Sequence, residues 1–270
     1  MLTKLLKYDF KALLKFWWIA AISSVGLTII GTLCHNILYS GRVLPAVVNL
    51  VVILGIFMVY FGYAAFSLLT AILIFIRYFK NFFTDEGYLT FTLPVKRSQL
   101  LMSKIISGCA IYGATLLLIG VEFLITINCY DDNNIFGSLV QLFAKAYKES
   151  GVYFIVDGIL FLLLAIMAVV INILFIYLCI TIGATIARRG KVIVGIGIYY
   201  GASSTITFIL QILMIFGTGS LSSWFSGIPE QLSDITLVLV LAEVVLILGI
   251  VLMAIYLFLY YLLDKKLNLS

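Results

Sequence analysis

Residues 153–187 read YFIVDGILFLLLAIMAVVINILFIYLCITIGATIA, and this stretch decides the fold. Asp157 is the only charged residue in it. A helix needs about 20 mostly apolar residues to cross the hydrocarbon core of a bilayer, which is about 30 Å thick. The stretch therefore predicts a transmembrane helix. Because its apolar residues are continuous, rather than alternating in segments of about ten residues, the pattern disfavours barrel strands.

The rest of the chain has the same character. Of its 270 residues, 64% are hydrophobic and 11% are charged, and the mean hydropathy is +1.21. Soluble domains typically carry about 25% charged residues, so this composition excludes an ordinary soluble domain. The net charge of +5 is informative through its placement along the chain. We do not read it as the footprint of a nucleic-acid partner.

Six stretches meet the requirement for a membrane span. The predicted spans are 17–39, 46–76, 105–129, 153–187, 192–216 and 235–262. We expect an all-α, polytopic membrane protein in which residues 1–270 form a single transmembrane domain.

The distribution of Lys and Arg predicts the orientation of the chain. With the N-terminus inside, 14 of the 17 basic residues fall on the cytoplasmic side, and Arg42, Lys145 and Lys148 fall on the outer side. Short cytoplasmic loops of membrane proteins carry such an excess of positive charge. We therefore expect both termini to be cytoplasmic.

The first sixteen residues, MLTKLLKYDFKALLKF, predict a separate interfacial helix along the inner leaflet. Lys4, Lys7, Lys11 and Lys15 share one face of it, where they would reach anionic headgroups. A frayed cytoplasmic tail is the alternative. Asp9 lies on the apolar side of this helix and does not fit the pattern.

Two loops on the predicted outer side carry distinct patterns. Residues 131–150 (DDNNIFGSLVQLFAKAYKES) place apolar residues at helical spacing, which predicts a short amphipathic helix. Residues 217–234 (GTGSLSSWFSGIPEQLSD) are rich in Gly and Ser, so we expect a turn between spans five and six.

Residues 82–100 (FFTDEGYLTFTLPVKRSQL) interrupt the apolar chain on the predicted cytoplasmic side. Thr84, Asp85 and Glu86 predict the start of a short helix, with Thr84 as its N-cap and two acids in its first turn. Pro94 ends it, and the chain then re-enters a helix that continues into span three. The short helix would present an apolar surface to the cytosol, and such a patch usually marks a partner.

In this segment the chain resembles the membrane subunit, or permease, of ABC-2 type transporters. That family commonly carries E-G-[TY]-L, and then L-x-x-P-[VI]-x-R-x-x-[IL]-L-x-x-K, between its second and third spans. The matching residues here are Glu86, Gly87, Leu89, Pro94, Val95, Arg97, Leu100 and Lys104. The six spans, the N-terminal interfacial helix and the inside termini agree with the family. The sequence DEGYLTFTLPV is most similar to the corresponding segment of small Gram-positive permeases, a group that includes the phenol-soluble modulin exporter.

The resemblance implies that this segment is a coupling helix, which docks in a groove of a separate ATPase subunit. The residues implied to dock are Thr84, Asp85, Glu86, Gly87, Tyr88, Leu89, Phe91, Leu93, Pro94 and Arg97. ATP and Mg²⁺ would be bound by that partner, with no cofactor, metal or catalytic residue in this chain. A second copy of the permease is implied, and a homodimer is favoured over a heterodimer. The implied location is the plasma membrane, in contact with its lipids.

The implied function is export, and an apolar, aromatic-rich chain suits an amphipathic peptide of toxin or antimicrobial type. A lipid or drug efflux permease is the alternative within the same class. Eighteen residues between spans five and six leave little room for the re-entrant helical pair of many family members, which disfavours a polysaccharide-type pathway. No P-loop, H-E-x-x-H or G-x-S-x-G motif is present. An ATPase-independent channel or a membrane-embedded enzyme remains as a further alternative.

Three acids lie inside predicted spans: Glu122, Asp157 and Glu243. An ionisable residue in a membrane interior is a functional candidate by default. The structural alternative is a protonated carboxyl that is hydrogen-bonded to a hydroxyl of a neighbouring helix. Gly197 and Gly201 form a G-x-x-x-G pattern in span five, which permits close helix packing within the subunit or across a dimer.

Overall fold

The structure, a computed structural model, describes residues 2–39, 45–84, 87, 95, 97–128, 135–187, 190–225 and 230–265. These ranges are helical almost throughout and contain no β-strand. The helices are α1 (Leu2–Tyr39), α2 (Ala46–Phe83), α3 (Arg97–Asn128), α4 (Ile135–Ser150), α5 (Val152–Ile186), α6 (Lys191–Phe225) and α7 (Glu230–Lys265).

Within the described ranges, six helices are long and apolar enough to cross a membrane, namely all except α4. The prediction of an all-α, multi-pass membrane protein is confirmed at this level. Several helices are longer than a bilayer core requires: α2 has 38 residues, or about 57 Å of helix. Its excess length must be accommodated by tilt or must extend beyond the hydrocarbon region.

The sequence predicts an interfacial helix over residues 1–16 and a separate membrane span from residue 17, and the structure differs from this. The structure has one continuous helix, α1, from Leu2 to Tyr39. Lys4, Lys7, Lys11 and Lys15 are exposed along it, as the sequence pattern predicts. Placement of residues 1–16 along a leaflet stays a prediction, and so does the single transmembrane domain over 1–270.

The expected turn over residues 217–234 is wrong for most of its length. Helix α6 continues to Phe225, and α7 already begins at Glu230, so only residues 226–229 lie outside the described ranges. Gly costs a helix about 1 kcal/mol relative to Ala, and Ser costs less. An unpaired backbone group in an apolar setting costs more than that, so the helix persists through Gly and Ser.

The amphipathic helix predicted within residues 131–150 is confirmed as α4. A single residue, Gly151, separates it from α5. The φ of Gly151 is 55°, and its N–H donates to Tyr147 O at 2.9 Å. Gly adopts this positive φ without the steric cost that a Cβ brings, so the chain turns sharply here.

The first of two compact units comprises Met1–Tyr78 and Gln99–Lys145, and it contains α1 with most of α2 and α3. Helix α1 buries one narrow stripe at helical spacing. The buried residues are Asp9, Leu13, Trp17, Ala21, Ser24, Thr28, Gly31 and His35. Because about half of the stripe is polar, α1 must find hydrogen-bond partners on the helices that it packs against.

The second unit comprises Phe79–Ser98 and Ala146–Ser270. In it, α5 packs against both α6 and α7. A close approach joins Gly183 of α5 to Gly195 of α6: a Cβ on Gly183 would lie 2.6 Å from the Cα and the N of Gly195. Both atoms belong to the backbone, so no side-chain rotation can relieve the overlap. These two glycines therefore set the separation of α5 and α6.

Replacing Gly183 by Ala should lower the stability of the second unit by about 1–3 kcal/mol, the usual cost of overpacking a tight contact. Thermal unfolding in detergent micelles measures this. Gly197→Ala is the matched control, because no described atom lies within 4 Å of its Cβ position. Equal unfolding temperatures for the two variants would contradict the assigned contact.

Candidate functional site

The segment that resembles a coupling helix begins directly where α2 ends. The Thr84 hydroxyl donates to Lys80 O at 2.5 Å and so completes the last turn of α2. The sequence predicted this hydroxyl as the N-cap of the next helix. The Thr84 carbonyl instead starts the following turn, by accepting the N–H of Gly87 at 2.7 Å.

Gly87 explains why the motif carries a glycine at this place. It is helical and buried, and a Cβ on it would lie 2.8 Å from Phe82 O and 3.0 Å from Phe82 C. The chain folds back onto the end of α2 too closely for any side chain. The remaining residues implied to dock, namely Asp85, Glu86, Tyr88, Leu89, Phe91, Leu93 and Pro94, lie outside the described residues, and their role stays a prediction.

One basic residue precedes this segment in sequence and another follows it, and both form ion pairs with the same acid, Asp9. Lys104 of α3 forms a hydrogen-bonded ion pair with Asp9 of α1. Ser103 Oγ donates to the other carboxylate oxygen at 3.1 Å. Arg77 of α2 lies 3.8 Å from Asp9 Oδ1. We call these four residues the Asp9 cluster.

The Asp9 cluster joins three helices through a buried charge. Asp9 is 3% exposed and Lys104 is 6% exposed. Charges removed from water in this way need partners of opposite sign and further hydrogen bonds, and the cluster supplies both. Arg77 lies near the end of α2 and Lys104 near the start of α3. The two helices that flank the segment are therefore both linked to α1.

A second ion pair lies in the other unit. Arg97, the first residue of α3, donates to Asp264 Oδ1 at 2.7 Å and to Asp264 O at 3.0 Å. The side chains are 49% and 47% exposed, so water screens this pair. The next residue, Ser98, lies 3.2 Å from Tyr256 OH of α7. The resemblance implied that Arg97 contacts an ATPase, and the structure gives it a partner on α7.

Glu122 is the one predicted intramembrane acid that the structure buries, with 4% exposure. Ser24 Oγ lies 2.9 Å from its Oε1. Close to this pair, Tyr63 OH lies 3.1 Å from Thr28 Oγ1 and 2.9 Å from Thr126 Oγ1. We call these five residues the Glu122 cluster. It links α1, α2 and α3.

A third polar link joins the same helices between the two clusters. Trp17 Nε1 donates to Thr115 Oγ1 at 2.8 Å, and Thr115 Oγ1 lies 3.3 Å from Thr70 Oγ1. All three residues are buried. The first unit is thus held together by polar contacts at several heights along α1.

The other two predicted acids have different surroundings. Asp157 lies six residues into α5 and is half-buried, and Glu243 is exposed on α7. Both belong to the second unit, whereas Glu122 belongs to the first. Among the described residues, no group of three or more His, Cys, Asp or Glu is placed to hold a metal ion.

The predicted packing glycines, Gly197 and Gly201, make no close contact with the described residues. Apart from the backbone of α6 itself, no atom of the described residues lies within 4 Å of the Cβ position of either glycine. Within the subunit, the close contact is formed by Gly183 and Gly195 instead. Packing of Gly197 and Gly201 across a dimer stays a prediction.

A groove lies along α7 in the second unit. It measures about 710 Å³ and its lining is almost entirely apolar. Met167 of α5 and Met253 of α7 contribute flexible, polarisable side chains to it. Such a surface can adapt to apolar molecules of different shape.

Comparison of the chain with protein-family models, with curated proteins and with solved structures finds no match.

Sequence reasoning missed the Asp9 cluster, although it noticed that Asp9 lies on the wrong side of its helix. That misplaced acid was the available signal. It also missed Ser24, Thr28, Tyr63 and Thr126 as partners of Glu122. Their signal was weaker, because hydroxyl residues are ordinary in membrane helices. Only the register between helices shows which of them meet.

Replacing Asp9 by Asn should strongly destabilise the first unit, because it leaves Lys104 charged and buried without its counter-ion. The expected loss is about 3–5 kcal/mol. Asp264→Asn removes a half-exposed partner and should cost no more than about 1 kcal/mol. Thermal unfolding of both variants in the same detergent gives the comparison. Similar losses in the two would show that the Asp9 cluster is not the stronger link.

Proposed function

We propose that this chain is the membrane permease subunit of an ATP-driven exporter, in which residues 82–100 form the docking segment for a separate ATPase. Six apolar helices support a multi-pass membrane location. The likeness of residues 86–104 to the ABC-2 permease pattern supports the class of transporter. The location proposed is a Gram-positive plasma membrane, with both termini and the docking segment in the cytoplasm.

The observation that carries this proposal is the anchoring of the helices that flank the docking segment. Arg77 and Lys104 bracket the segment in sequence, and both lie at the Asp9 carboxylate. A displacement of the segment would act on the ends of α2 and α3, and the Asp9 cluster would pass it to α1. A segment without such anchors could move without changing the helices behind it.

In the proposed mechanism, the ATPase binds ATP and Mg²⁺, and this chain supplies the moving membrane part. Two permease copies would form the pathway, with a homodimer as the simplest arrangement. ATP binding can bias the permease only if the ATPase binds one of its conformations more tightly than the other. The docking segment provides the surface for that difference in affinity.

The substrate class proposed is an amphipathic peptide, with lipid or drug efflux as the alternative. The apolar groove along α7 supports molecules with a large apolar face. The exposed Glu243 on the same helix is the acid available to a substrate with a basic group. The apolar lining of the groove disfavours an inorganic ion.

The docking role is tested by the double substitution Leu89→Asp and Phe91→Asp. We expect loss of co-purification with the ATPase, because two charges in an apolar docking surface are costly to desolvate. Membrane insertion should persist. Gly87→Ala is a second, uncharged variant, because its Cβ would collide with the backbone of Phe82 and displace the segment. It should weaken the association as well.

The matched control is Tyr8→Asp, which places one acid on an exposed aromatic position of α1 outside the segment. It should co-purify with the ATPase as the wild type does. If the Leu89 and Phe91 double variant retains normal ATPase association and ATP-dependent transport, the docking segment is wrongly assigned. If the purified chain transports without any ATPase, the whole class is wrong.

A further inference from the structure

Glu122 has surroundings that ordinarily do not accommodate a carboxylate. Residues 16–39, 46–76 and 105–128 contain no Lys or Arg, so none of the three helices brings a counter-ion to its depth. Lys104 precedes it on α3 by about 27 Å of helix and is engaged by Asp9. Glu122 Oε2 is buried and has no hydrogen-bond partner among the described residues. An ionised carboxylate in this position would be strongly disfavoured.

Ser24 and Thr28 are the hydroxyls beside the carboxyl, and each also has a backbone carbonyl within reach. The Thr126 hydroxyl donates to the backbone carbonyl of Glu122 at 2.8 Å. The Thr28 hydroxyl lies beside the carboxyl, and its single hydrogen can be donated to Ser24 O at 3.0 Å. Tyr63 is the only other titratable side chain in the cluster, and it lies between Thr28 and Thr126.

The position of Ser24 is compatible with a proton on Glu122. Its Oγ lies 2.9 Å from two oxygens, Ala21 O and Glu122 Oε1. A hydroxyl has one hydrogen to donate, and a backbone carbonyl has none. With a carboxylate at Glu122, the two oxygens must share the single Ser24 hydrogen. With a carboxylic acid, Oε1–H donates to Ser24 Oγ, Ser24 donates to Ala21 O, and each bond has a hydrogen of its own.

We propose that Glu122 is a proton-binding site inside the first unit, and that its bound proton forms the hydrogen bond from Glu122 Oε1 to Ser24 Oγ. That bond joins α3 to α1. Release of the proton would leave a carboxylate, and the Ser24 hydrogen would then turn from Ala21 O toward Glu122. One proton therefore determines how α1 and α3 are linked at this height.

The infrared spectrum of the purified chain in lipid nanodiscs tests this proposal at neutral pH. The C=O stretching band of a carboxylic acid is distinct from the bands of a carboxylate. Glu122→Gln should remove one carboxylic-acid band, while its amide N–H can still donate to Ser24. Asp264→Asn is the matched control: its exposed, ion-paired side chain should account for carboxylate intensity only.

Ser24→Ala gives an independent reading if the Glu122 variant does not fold. It should displace the carboxylic-acid band without removing it, because the acceptor of the Glu122 proton is lost. The proposal is overturned if Glu122→Gln removes carboxylate intensity, as the control does, or if Ser24→Ala leaves the acid band unmoved. Neither measurement involves transport or an ATPase, so the proton site and the proposed function can fail separately.

Discussion

A polar side chain buried between membrane helices has no water to bond with, and this constraint organises the first unit. Its helices meet through Asp9 and Lys104, through Trp17 and Thr115, and through Ser24 and Glu122. The two members of each pair are 95, 98 and 98 residues apart in sequence. A nearly constant offset means that α1 and α3 run parallel and in one register. Apolar packing alone would not specify that register so narrowly.

The spans were predictable because hydropathy is a sum over many residues. Helix α5 was expected at 153–187 and is found at Val152–Ile186. The exposed lysine face of α1 was also predictable, since it depends only on helical spacing. The pairing of Asp9 with Lys104 was not, because it depends on which turn of α3 faces which turn of α1. Local sequence carries no information about that register.

The glycine contacts also could not be predicted from local sequence. The G-x-x-x-G spacing of Gly197 and Gly201 is a recognised packing pattern, yet the close contact in the second unit uses Gly183 and Gly195. Both pairs are compatible with a close approach. The face that α6 turns toward α5 decides between them, and composition does not determine that face. The Gly/Ser-rich turn expected after residue 216 is mostly helical, because the need to keep backbone hydrogen bonds outweighs the low helix propensity of Gly and Ser.

Helix α1 runs unbroken from Leu2 to Tyr39 and carries both Asp9 and Ser24. These residues are fifteen positions apart, or about 22 Å along the helix axis. A helix of this kind behaves as a stiff rod on that length scale. The ion cluster and the carboxyl contact are therefore two links between the same two helices, α1 and α3. If α1 slides along its axis relative to α3 at Asp9, the hydroxyl contact at Glu122 must be strained as well.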